Sequence, residues 1–224
     1  MRTPSRIRRV EIVSQREDDP ADSHAFLKLQ RLKVQNTFRD GGVGPIYSYD
    51  GVLRQWLDAV VLLLTGILDG EEAVCLRSCL RPPVLLRGQS AIPLEDEEPF
   101  YTLWELPAGL LEEGDRGTEG IKKRAAIEAL EEAGYTLDWT QFAPVGRAPF
   151  ASPGVIPERL HFVTARVPDI LDRVPAAGDG SPAEEGGGIW WVGLNDGIRM
   201  CENGEILDVK TELGIRRLIA AKSR

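Results

Sequence analysis

Three glutamates, Glu128, Glu131 and Glu132, stand close together just ahead of Gly134. On an α-helix a step of about 100° per residue places Glu131 near −60° and Glu132 near +40° from Glu128, so the three carboxylates share one narrow face. Like charges three and four apart cost a helix a few tenths of a kcal/mol per pair, and Glu131 also sits near the unfavourable end of the helix dipole. A divalent cation would offset that repulsion, because magnesium is a hard ion that takes oxygen ligands and bridges carboxylates to substrate phosphates. The same spacing also fits a solvated acidic face, and the helix taken alone does not choose between the two.

The elements around these acids decide how they are held. A helix is predicted over Ile121 to Ala133, stopped by Gly134 as its C-terminal cap. Ala126, Ala129, Leu130 and Ala133 fall on the opposite arc and are expected to pack on the core, presenting the acids away from it. The alternation from Ala25 to Gln35 reads as a half-buried strand, with Asp40-Gly41-Gly42 as the turn after it. Asp58 to Leu64 is a continuous apolar run, and Glu72 to Leu76 resumes after Asp69-Gly70; the two read as a hairpin with a central, buried strand. Arg81 to Trp104, rich in proline and acid, reads as a long loop. Leu160 to Val167 and Ile189 to Leu194 read as strands separated by the Pro/Gly/Glu-rich segment Pro175 to Gly188, and Asp208 to Lys222 as a closing amphipathic helix. Strands and helices interleave without a regular βαβ rhythm, so the expected class is α/β with a mixed sheet between helices.

What precedes the helix changes the weight of the two readings. Trp104-Glu105-Leu106-Pro107-Ala108-Gly109 leads through Leu110-Leu111-Glu112-Glu113-Gly114-Asp115 to the helix ending Glu128-Ala129-Leu130-Glu131-Glu132-Ala133-Gly134-Tyr135. This resembles the Nudix box: a glycine, a loop acid, a helix bearing Arg-Glu-x-x-Glu-Glu, then glycine and an apolar residue. Gly109 takes the first place, Asp115 the loop acid, and Glu128, Glu131 and Glu132 the helix acids. Two departures stand out. The loop carries about four extra residues, around Arg116 to Gly120, and Ile127 occupies the place of the box arginine. Arg124, one turn before Glu128, is expected to pair with it in compensation.

Segments outside the box are similar to the ADP-ribose and nucleoside-diphosphate-sugar pyrophosphatase branch of that family. They are Glu105 to Gly109, Leu80-Arg81-Pro82, Ser152-Pro153-Gly154 and Glu158-Arg159-Leu160-His161. The resemblance spans roughly Asp58 to Leu194. It implies a Nudix-type α/β/α sandwich with a mixed sheet plus N-terminal antiparallel strands. Residues 1–57 would form a dimerising strand extension and 58–224 the hydrolase domain. It further implies metal-assisted hydrolysis of the pyrophosphate bond of a nucleotide sugar such as ADP-ribose, with Mg2+, or alternatively Mn2+, as cofactor. Glu128 and Glu132 would be the principal metal ligands, Glu131 a further ligand or catalytic support, and the Ala108 carbonyl would complete the shell. Arg81, Glu105 and Glu158 would contact substrate. Glu185, on the glycine-bearing loop before Ile189-Trp190-Trp191, would be the general base. Trp104, Trp190 and Trp191 read as core rather than stacking platforms, and His161, flanked by Leu160 and Phe162, as a structural histidine. The competing readings are a Nudix-like sensor that binds a nucleotide sugar without cleaving it, and an interaction protein that binds no magnesium.

Composition narrows the field. With 42% hydrophobic and 28% charged residues the chain is that of an ordinary globular protein. Its net charge of −8 argues against nucleic acid as a partner, the one basic cluster being Arg2, Arg6, Arg8 and Arg9. An acidic protein can still bind a diphosphate through metal ions. Cys75, Cys79 and Cys201 form no disulfide framework or metal spacing, no signal-peptide pattern follows the N-terminus, and the longest apolar run is too short for a membrane span. A cytoplasmic homodimer is the expectation.

Overall fold

The computed structural model describes residues 26–94, 102–178 and 187–222. The central strand is β3 (Ala59–Leu68), joined by the Asp69-Gly70 turn to β4 (Glu71–Leu80), and the two pair antiparallel from Thr65↔Val74 to Leu68↔Glu71. β9 (Ile156–Arg166) pairs with the other edge of β3 in parallel, and β7 (Ala143–Pro144) extends the sheet beyond β9. β10 (Ile189–Gly193) lies antiparallel on the outer edge of β4, while β8 (Phe150–Ser152) folds back on β9.

β3 is apolar without alternation because both of its faces are covered. Val60, Leu62 and Leu64 pack with Ala125, Ala129 and Ala133 of helix α1 (Gly117–Ala133). Val61 and Leu63 pack instead with Met200, Ile206, Ile215 and Leu218, from α2 (Leu194–Glu202), α3 (Val209–Lys222) and the turn between them. The expected α/β/α layering with a mixed sheet is therefore present. Trp104 and Trp191 are core residues, as expected.

Helix α1 begins four residues earlier than Ile121, at Gly117. The residues expected to lengthen the loop add instead about one helical turn, which lengthens the helix without rotating its acids relative to the core. The buried stripe also differs from expectation. Ala125, Ala129 and Ala133 are fully buried, Ala126 only partly so, and Leu130 is 41% exposed. The buried arc runs from Glu128 through Glu132 and Ala125 to Ala133, so the acids border the packing face instead of opposing it. At the helix end Gly134 adopts φ 79°, and a Cβ there would lie 2.0 Å from the Val174 carbonyl oxygen, so only glycine closes this turn.

The N-terminal strands β1 (Lys28–Thr37) and β2 (Val43–Leu53) form a separate antiparallel two-stranded sheet, turned at residues 39–42. No residue of either strand is buried. The hairpin is fastened to the β8–β9 turn by the Val52 amide on the Val155 carbonyl (2.8 Å) and by the Tyr49 hydroxyl on the Gly154 carbonyl (3.2 Å).

Candidate active site

The pairing of β3 with β4 ends at Thr65↔Val74, and beyond it the two strands diverge into a fork. Two short strands fill that fork. β5 (Thr102–Glu105) pairs with β4 from Arg77↔Glu105 to Leu80↔Thr102, and β6 (Ala108–Leu110) pairs with β3 from Ala59↔Leu110 to Val61↔Ala108. The segment expected to be loop up to Trp104 thus ends in sheet, after a 3-10 turn over Pro82–Gln89.

Into the fork α1 brings Glu128 and Glu132, both buried, while Glu131 is half-buried. One oxygen of Glu132 accepts the Ala108 amide at 2.7 Å, and the other is bound by the guanidinium of Arg77 from β4. The Glu128 carboxylate lies against Gly109, where a Cβ would fall 1.8 Å from Oε1. Glycine at this place is what lets the carboxylate approach the strand so closely. Two of the three acids are thus gathered beside Ala108 and Gly109, an all-oxygen donor set of the kind Mg2+ takes. Among the described residues no three Asp, Glu, His or Cys side chains are already arranged around one point as a metal cluster. The donor chemistry and the cradle at Gly109 fit a magnesium ion.

A second run of charges borders the first. Glu105, fully enclosed, accepts two bonds of 2.7 Å from Arg81, whose side chain remains 49% exposed. Lys210, in the first turn of α3, also reaches Glu105 and bonds Asp208 at 3.0 Å. Burial would raise the Glu105 pKa, yet Arg81 and Lys210 hold it below the usual carboxylate range. Burial would likewise lower that of Lys210, but Glu105 and Asp208 outweigh it and the net shift is upward. Between the two runs sits Cys79, its thiol pushed up to about 12, first by burial and then by Glu105 and Glu132. Glu105, expected at the substrate, has its carboxylate enclosed between Arg81 and Lys210.

Other expected residues take up structural partners. Arg124 bonds Asp115 at 2.8 Å and Glu112 at 3.0 Å, clamping the loop to the helix in place of the pairing expected with Glu128. Asp115, the expected loop acid, also accepts the Glu112 amide at 2.9 Å. Glu158 forms an ion pair with Arg54, which donates further to the Trp56 and Leu57 carbonyls. That arrangement ties Glu158 to the chain leaving the hairpin. His161 meets Asp58 at 2.9 Å. Glu185 lies outside the described residues. Sequence reasoning missed Arg77 and Lys210, although Arg77 falls in line with Ala73 and Cys75 on a buried strand, where an unpaired cation would be costly.

No protein-family model and no curated protein matches the chain by sequence. Among solved structures it is similar to a crystal structure of ADP compounds hydrolase, with a TM-score of 0.57 and 13% identity over 86% of this chain and 90% of that one. The likeness is one of fold: an α/β/α sandwich around a mixed sheet, with a separate antiparallel pair of strands toward the N-terminus. No helix among the described residues is long and apolar enough to cross a membrane.

Proposed function

We propose that the chain is a metal-dependent hydrolase of the pyrophosphate bond in a nucleoside diphosphate sugar, taking ADP-ribose to AMP and ribose 5-phosphate. The observation that carries this reading is the burial of Glu128 and Glu132 beside Gly109, on a fold shared with an ADP compounds hydrolase. Glu128 and Glu132, with Glu131 and the Ala108 carbonyl, would hold Mg2+ or Mn2+. An ion bound there supplies charge neutralisation at the phosphoryl oxygens and a more acidic water. Arg81, fixed at both ends of its fork by Glu105, orients the diphosphate. Glu185, which lies outside the described residues, would take the proton of the attacking water.

The test is incubation with ADP-ribose, UDP-glucose and related nucleotide sugars with Mg2+, followed by detection of the monophosphate. AMP and ribose 5-phosphate are the expected products. A panel that binds but yields no monophosphate would support the sensor reading.

The same reading includes a homodimer formed through the hairpin. Residues opposite one another share a face, so Leu32, Tyr49, Val34, Tyr47 and Leu53 lie on one side. The other side carries the Arg31–Asp50 pair and the Lys33–Ser48 hydrogen bond. Leu32, Tyr47, Tyr49 and Leu53 are 38–46% exposed, and a lone two-stranded hairpin is marginal in water. Light scattering should give twice the mass of 24.7 kDa, falling to one copy in a Leu32→Asp, Tyr47→Asp variant. A monomeric wild type would remove the dimer.

A further inference from the structure

We infer that Arg77 is the positioning residue for Glu132, so that this helix acid is oriented from the sheet. The inference rests on the metal-site reading above. In the helix, Ile127 is 43% exposed and about 100° round from Glu128, so it offers the acids neither charge nor hydrogen bond. Arg77 comes from the opposite side. It is 4% exposed, and strand alternation sets it with Ala73 and Cys75 on the face that α1 covers. With Arg77 on one oxygen and the Ala108 amide on the other, the Glu132 carboxylate is held at both ends. A carboxylate oxygen has two lone-pair directions, so one that accepts a hydrogen bond can also serve a cation. Removing the guanidinium leaves Glu132 without the cation that holds its Oε1. A lysine returns the charge but not the planar fork.

The experiment is a Mn2+ titration of the full chain, read by the electron paramagnetic resonance signal of the free ion, for wild type, Arg77→Lys and Arg77→Met. It is run below the melting temperature of all three. Partners of metal ligands typically contribute about 10–100-fold in affinity, so Kd should rise by that factor in Arg77→Met and by an intermediate factor in Arg77→Lys. In turnover, kcat should fall while KM for the nucleotide sugar holds. A merely structural role would lower the melting temperature without ordering the Kd values in this way. Wild-type Kd in both variants overturns the inference, and should Arg77→Met fail to fold, Arg77→Lys decides it by the same criterion. If the wild type binds Mn2+ yet releases no monophosphate, the hydrolase reading fails while the Kd series still decides Arg77. Absence of Mn2+ binding by the wild type sinks both.

Discussion

Glu132→Gln should reduce monophosphate release by about 10³-fold at saturating Mg2+, since metal-borne charge stabilisation is worth several kcal/mol and each 1.36 kcal/mol is a factor of ten. The amide is nearly isosteric, and its carbonyl can still accept the Ala108 N–H that now sits 2.7 Å from Oε2. Its NH2 group would then face the donors of Arg77, and breaking this buried ion pair from one side costs about 3–5 kcal/mol of stability. Glu128→Gln supplies the check, because Glu128 rests against Gly109 and its variant should match the loss of turnover. Initial rates of AMP release from ADP-ribose, with circular dichroism to confirm folding, measure both. Folded variants that keep more than about a tenth of wild-type turnover would take these acids out of the metal site.

The parts of the fold governed by local pattern were legible in the sequence. Continuous burial marked β3, alternation marked β1, and Gly134 marked the end of α1. What escaped depended on partners distant along the chain. The alternation of β2 is interrupted by Gly44, Pro45 and Gly51, and β5 and β6 are short strands defined by the fork they fill. The acids were found at the right spacing, but their surroundings were not. The buried arc of α1 includes Glu128 and Glu132 because Arg77 and the Ala108 amide receive Glu132 there, and a helical wheel contains neither group. The extra turn at Gly117 and the exposed Ile127 are also the two departures from the box, on a chain that no family model matches by sequence. The added turn keeps the face of the helix, and Arg77 meets Glu132 from another element.

Lys210 looks in sequence like an ordinary solvated lysine in the first turn of a helix, where the helix dipole would disfavour it. Its side chain is instead 14% exposed between Glu105 and Asp208, while Asp208 also accepts the Thr211 amide at 3.0 Å and so caps α3. Lys210→Met should therefore leave two carboxylates short of a partner at the junction of α3 with β5. Breaking a buried pair from one side costs about 3–5 kcal/mol; because Arg81 still holds Glu105, the lower end applies. For a domain of this size about 3 kcal/mol lowers Tm by roughly 6–12 °C. The pH dependence follows from the shifts. The Glu105 contribution is present above its unfolded value near 4.5 and is lost as pH falls through its depressed folded value. The Lys210 contribution is present below 10.5 and is lost as pH rises through its raised folded value. The difference in Tm between wild type and Lys210→Met should accordingly be flat through neutrality and shrink in acid below the first limit and in alkali above the second. Calorimetric melts across that range measure it, and a difference under about 2 °C, or one that ignores pH, would show that the cluster does not hold α3 to the sheet. Because the same cluster holds Arg81, the variant should also raise KM for the nucleotide sugar more than it lowers kcat, linking the closing helix to the diphosphate through a single enclosed carboxylate.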